Sequence, residues 1–219
     1  MLNKLIAALA LSTCTTLLLA QAPAPTVAPA ATPVAAPVVR LRGTVEKIEP
    51  GLLTVKERSG EVITLVLPDK TPLSEVLPIA MSDIKAGSFI GTAAMPKADG
   101  SLEALEVLVF PEAARGTGEG HYPWDLQPQS TMTNATVADV MGTTSTAGSG
   151  NGVNTLKLKY KDGEKTLTVS PSTPIVTFKP AGMDLLVVGA KVLVNAQERD
   201  GKPTALRILA GRNGFTPPM

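Results

Sequence analysis

The chain has 219 residues, 44% of them hydrophobic and only 3% aromatic, with 20 Lys and Arg against 19 Asp and Glu. That length allows one or two domains with a buried core, and the near-neutral balance excludes a bulk electrostatic partner such as nucleic acid. A single cysteine, Cys14, excludes an internal disulfide.

The first 22 residues have the layout of an export leader. Lys4 gives a short basic start, residues 5–11 and 17–20 are apolar, and Ala20-Gln21-Ala22 fits an A-x-A cleavage site. Ser12 to Thr16 interrupts the apolar part, so the stretch is a poor membrane span, and no later stretch reaches the ~18 apolar residues a spanning helix needs. The sequence therefore predicts a periplasmic or secreted protein. Lipidation at Cys14 is the less favoured alternative, because Thr13 precedes the cysteine and an apolar Leu17-Leu18-Leu19-Ala20 follows it. Residues 23–39 are almost wholly Ala, Pro, Val and Thr, and read as an extended tether.

Beyond the tether two halves read alike. Gly60-Glu61 recurs as Gly163-Glu164, Thr71-Pro72 as Thr173-Pro174, Gly87 as Gly189, Asp99-Gly100 as Asp200-Gly201, and Ala104-Leu105 as Ala205-Leu206. An offset that holds so steadily over punctuation residues marks an internal duplication. Within each half the apolar period is two. Leu156, Leu158 and Tyr160 alternate with Lys157, Lys159 and Lys161, and Asp162-Gly163 is expected to turn a tight hairpin on left-handed residues. Leu53, Val55, Val62 and Leu65 form the comparable hairpin around Ser59-Gly60. The less regular "TPLSEVLPIAMSDIKAG" suits a turn or short helix, with Ser82 as N-cap and Gly87 closing it.

Three strands, a short helix or turn and two strands, in 70 to 80 residues, are the order of an OB-type barrel. The predicted fold is thus all-β: a first five-stranded OB-like barrel over 40–114, an ordered linker over 115–133, and a second barrel over 134–219. Inward positions are Val45, Val55, Leu65, Ile90 and Val107 in the first, and Leu158, Leu167, Val192 and Ile208 in the second.

The elements "GTVEKIE", "IKAGSFIGTA", "RGTGEGHYPWDLQPQSTMTN" and "LKYKDGEK" resemble those of exported bacterial proteins of unknown function with tandem OB-like repeats, from about Arg42 to the C-terminus. Some such proteins carry a metal-transporter permease label, which the lack of an apolar span in the mature sequence contradicts. The resemblance brings no established activity with it.

The linker holds the only histidine and the only tryptophan. Its glycines, 116, 118 and 120, do not make a phosphate loop, since Pro123 and Pro128 forbid the helix such a loop needs. Ser82-Asp83-Ile84-Lys85 has S-x-x-K spacing, but its companion motifs are absent. Glu119, His121 and Asp125 could offer mixed metal ligands, yet a lone imidazole more often packs through a hydrogen bond. A spacer needs no large aromatics. Tyr122 and Trp124 therefore predict a strap docked between the barrels, with Arg115 or His121 pairing Glu119 or Asp125. Lys157, Lys159, Lys161 and Lys165 form a basic stripe that could face an anionic ligand, although a solvated strand face is the simpler account.

No nucleophile-base pair, metal or cofactor is implied. The sequence reading is a non-enzymatic binding or structural module of the cell envelope, its partner an envelope protein, glycan or lipid. The alternative is a metal-binding protein or enzyme centred on His121. N-terminal sequencing of the exported chain is expected to begin near Gln21 or Pro23. An intact Met1 in fractionated cells counts against the leader, and an acylated Cys14 against the cleavage site.

Overall fold

Alternating apolar residues in both halves give strands throughout. The computed structural model describes residues 36–144 and 152–218, so the expected leader, Cys14 and the expected tether up to Ala35 lie outside the described residues. The strands are β1 (Val38–Glu49), β2 (Leu52–Glu57), β3 (Val62–Val66), β4 (Leu73–Pro78), β5 (Phe89–Pro96), β6 (Leu102–Ala104), β7 (Val107–Val109) and β8 (Gly120–Pro123). The second half supplies β9 (Thr131–Thr144), β10 (Val153–Tyr160), β11 (Gly163–Val169), β12 (Ile175–Pro180), β13 (Lys191–Arg199) and β14 (Lys202–Gly211). The chain is all-β, and no described helix is long and apolar enough to cross a membrane. Val38 and Val39, expected in the tether, already pair with Gln197 and Ala196.

The strands form one mixed sheet of fourteen that closes on itself twice. In the first ring β1, β2 and β3 form an antiparallel meander, β3 meets β14 in parallel at Val66 and Thr204, β14 pairs antiparallel with β13, and β13 returns to β1. In the second ring β9, β10 and β11 form the meander, β11 meets β6 in parallel at Leu167 and Leu102, and β6 and β5 lead back to β9.

Each ring therefore takes three strands from one half and its last two from the other. Barrels confined to 40–114 and to 134–219 do not describe these pairings. The cause lies between the third and fourth strands of each half. There the chain does not turn back in a helix but runs straight as β4 or β12, and these two cross by pairing antiparallel, from Val176 opposite Pro78 to Pro180 opposite Ser74. Only single 3-10 turns remain, Met81–Asp83 and Met183–Leu185. Ser82 is not the cap of the first; the Ala80 N–H donates to the Asp83 carboxylate instead, at 2.9 Å.

The repeated glycines secure the exchange. Gly87 and Gly189 have φ of 88° and 89°, a region open to glycine at little cost. Their N–H groups donate to the Val137 and Val45 carbonyls, each in the first strand of the opposite half. The two Asp-Gly pairs diverge. Asp200 and Gly201 have φ of 52° and 71° and make the two-residue turn from β13 to β14. Asp162 and Gly163 do not adopt the expected left-handed turn, because Gly163 already pairs with Tyr160 in β11 and the turn residues are Lys161 and Asp162.

All nine expected inward residues are buried, but in mixed company. Val45, Val55 and Leu65 share a core with Val192 and Ile208, whereas Ile90 and Val107 share one with Leu158 and Leu167. A third cluster, including Val76, Leu108, Phe178 and Leu209, seals the rings against each other.

Leu53→Ala and Ile208→Ala are each expected to cost ~2–5 kcal/mol. Their effects should couple in a double-mutant cycle by ~0.5 kcal/mol or more, while Leu53→Ala and Val107→Ala should add. The reverse pattern would mean that each half closes its own barrel.

Candidate ligand site between the two rings

The linker is ordered because its chain finds backbone partners. After β7 and a 3-10 turn at Glu112–Ala114, β8 pairs antiparallel with β9 from Gly120 opposite Asn134 to Pro123 opposite Thr131. Strand alternation sends His121 to one face and Tyr122 to the other. The His121 Nδ1 lies 2.8 Å from the Thr133 hydroxyl, and its ring stacks on Tyr160 at 6.3 Å. Burial, with help from the Lys165 charge, lowers its pKa. On the opposite face, Asn134 Nδ2 donates to the Thr117 carbonyl at 3.0 Å and meets the Tyr122 hydroxyl at 3.3 Å.

Trp124 is half-buried. Its backbone N–H donates to the Ser130 carbonyl at 2.8 Å, and the Arg40 guanidinium sits over its indole ring at 4.0 Å. Asp125 accepts hydrogen bonds from Arg42 at 2.8 Å and Arg40 at 3.4 Å. Burial opposes the Asp125 charge, but the Arg42 hydrogen bond and the two cations outweigh it and hold the carboxyl below its ordinary value. The strap thus rises from the second ring and clips onto β1 of the first.

Several expected contacts are not made. Arg115 pairs with Glu112, at 2.6 and 2.8 Å, and donates to the Gly87 carbonyl, so neither it nor His121 bonds Glu119 or Asp125. Glu119 is exposed. Glu119, His121 and Asp125 are not brought together, and no group of three metal-ligating acidic, His or Cys residues occurs among the described residues. The basic stripe is also divided. Lys157 and Lys159 lie opposite Thr166 and Glu164, whereas Lys165 lies opposite the inward Leu158 and Lys161 sits in the turn.

Tyr122 and Trp124 instead roof a partly open cavity of about 250 Å³. One wall belongs to the first ring, where Arg40, Asn195 and Arg207 stand in register across β1, β13 and β14. The other belongs to the second ring, with Glu106, Leu108 and Asn134. Phe110 and Phe178 complete it, packed edge to face at 5.9 Å.

Glu106 stands at the break between β6 and β7, where the N–H groups of Leu105 and Glu106 both reach the Ala93 carbonyl. Its residue is 2% exposed. Burial pushes its carboxyl up to about 8, against the opposing charges of Arg42 and Arg58. Among the described residues its Oε2 has no hydrogen-bond partner, and the same holds for Asn134 Oδ1, Asn195 Oδ1 and Trp124 Nε1. Buried polar groups are rarely left unpaired, and four of the residues around this one cavity carry such an atom.

Sequence reasoning found the aromatic roof but missed Arg40, Glu106, Asn134, Asn195 and Arg207. One signal was available. The duplicated Ala-Leu pairs set Glu106 in line with Arg207, each the one charge in the short apolar run that starts at the pair. Comparison with protein-family models, curated proteins and solved structures returns no match.

Glu106 has a measurable cost. Its folded pKa lies above the ordinary 4.5, so the unfolded chain releases the proton first, and stability falls as pH climbs from about 4.5 to about 8. Glu106→Gln is expected to raise stability at pH 8 by ~1–3 kcal/mol and to flatten that slope. An unchanged pH profile of thermal unfolding would show that the carboxyl is solvated.

Proposed function

We propose that the chain is an exported, non-enzymatic binding module of the bacterial cell envelope, built from two OB-like barrels that exchange their last two strands. The inter-barrel cavity is its ligand site. Support for the barrel reading is the strand order: first, second, third, then the fifth and fourth strands of the other half, with the third and fifth parallel. Support for export is the leader pattern of residues 1–22.

The observation that carries the binding reading is the set of unpaired polar atoms around an apolar, aromatic-walled cavity. Such sites use a few placed polar groups to orient a ligand that apolar walls retain. The lining contains no cysteine, serine or histidine, and the Thr117 hydroxyl is engaged by the Ala114 carbonyl at 2.7 Å. The apolar and aromatic walls support a recognition role. A cavity of about 250 Å³ suits a small molecule or the end group of an envelope polymer.

A fragment library titrated into the isotope-labelled mature protein should give hits whose NMR shifts cluster on the Trp124 indole N–H, Asn195 and Arg207. Asn195→Trp, which fills the cavity from β13, should remove them. Hits confined to other surfaces, or none at all, would overturn the ligand-site reading.

A further inference from the structure

The duplication places Glu106 and Arg207 at corresponding positions, since Ala104-Leu105-Glu106-Val107-Leu108 aligns with Ala205-Leu206-Arg207-Ile208-Leu209. Strand exchange then sets these positions on opposite walls of one cavity. One is acidic and the other basic, yet they form no ion pair; among the described residues Arg207 has no carboxylate partner and lies over the Phe178 ring at 4.8 Å. Arg40, the other lining guanidinium, is engaged by Asp125 and Trp124. One wall thus offers an unpaired carboxyl and the other an uncommitted guanidinium. The acceptor oxygens Asn134 Oδ1 and Asn195 Oδ1 and the donor Trp124 Nε1 supply further unpaired contacts.

We infer that the cavity selects a small zwitterion with an apolar body, its ammonium group received by Glu106 and its carboxylate by Arg207. This rests on the reading of the cavity as a ligand site. A simple cation would satisfy Glu106 while leaving Arg207 half-buried and unpaired. A simple anion would satisfy Arg207 and leave the Glu106 carboxyl without a partner. A buried polar group with no partner is costly, so a ligand that meets both walls binds more tightly than either of its halves. The apolar body lies against Leu108, Phe110, Phe178 and Leu209.

Charge transfer on binding supplies a second signature. Below pH 8 the free Glu106 carboxyl holds its proton, since burial raises its pKa to about 8. The charged groups that face it are Arg42 and Arg58, with Arg40, Arg207 and the Tyr122 hydroxyl lining the same cavity. An arriving ammonium group gives the carboxylate a partner, so a proton leaves to solvent as the ammonium-carboxylate pair forms.

The test is calorimetry on the mature protein at pH 7, in buffers of differing ionisation heat, with Trp124 fluorescence as a parallel signal. The probes are L-phenylalanine and 6-aminohexanoate, which separate their charges by different lengths. Their half-ligands are phenethylamine, 3-phenylpropionate, hexylamine and hexanoate. At least one zwitterion should bind roughly tenfold or more tighter than both of its halves, with proton release that the carboxylates alone do not show. Glu106→Gln should remove the advantage conferred by the amine, and Arg207→Gln that conferred by the carboxylate. Half-ligands that bind as tightly as the zwitterions, or variants that leave the ranking unchanged, overturn the inference. Silence from every probe while fragments still bind the cavity overturns the zwitterion alone. Silence from probes and fragments together removes the ligand site as well.

Discussion

The architecture depends on the straightness of two six-residue segments. Leu73–Pro78 and Ile175–Pro180 are extended and paired with each other, so neither half can fold its last two strands back onto its own first three. Closure is reached only by exchange, and closure matters because an open edge would recruit other chains. Exchange has an energetic consequence too. A barrel of roughly 70 residues buries only ~60% of its unfolded surface. Here each core is filled from both halves, and the crossing segments add a third apolar cluster between the rings. Glu75, buried within β4, is accommodated because Arg212 donates to it at 3.0 Å and Lys179 approaches at 3.5 Å.

Much of this fold was legible in the sequence, down to individual inward residues, because a period of two specifies which face of a strand is buried. It does not specify whose core that face enters. Val192 is inward whether β13 pairs with β9 or with β1, and in the fold it is β1 that it meets, at Gly43. The crossing segment was obscured for a related reason. β4 is covered on both faces, so Ser74 and Glu75 are buried beside Leu73 and Val76, and the apolar alternation that would announce a strand disappears. The Asp-Gly pairs teach a further limit. One dipeptide makes a left-handed turn at Asp200-Gly201 and not at Asp162-Gly163, because the register of the flanking strands decides which residues occupy the turn.

The strap was legible by residue rarity, since a lone tryptophan in a connector needs somewhere to go. Its partners were not. Asp125 meets Arg40 and Arg42, 85 and 83 residues away, and no local pattern links them. The polar members of the cavity were harder still, because they lie in five separate segments of the chain and only the three-dimensional fold gathers them.

Duplication explains why the gathered groups differ. Two copies of one sequence, related by exchange, would present like groups to each other across the centre. A Glu facing a Glu there would add like-charge repulsion to desolvation. Divergence has replaced symmetry with complementarity at one paired position and with unlike groups at another. Glu106 corresponds to Arg207, and Asn134, opposite Gly91, corresponds to Arg42, opposite Leu193. The break between β6 and β7 is matched in β14 by a bulge at Leu206, where Asn195 pairs with Arg207 and Ala196 with Ala205, so both walls are irregular at the corresponding place. The strap completes the asymmetry. It follows β7, pairs with β9 of the second ring and engages Arg40 and Arg42 of the first. Its aromatic residues cover the cavity, while Phe215 after β14 packs on the central cluster. In the proposed reading the repeated scaffold carries one directional site, with an acidic and a basic residue on opposing walls and one aromatic cover.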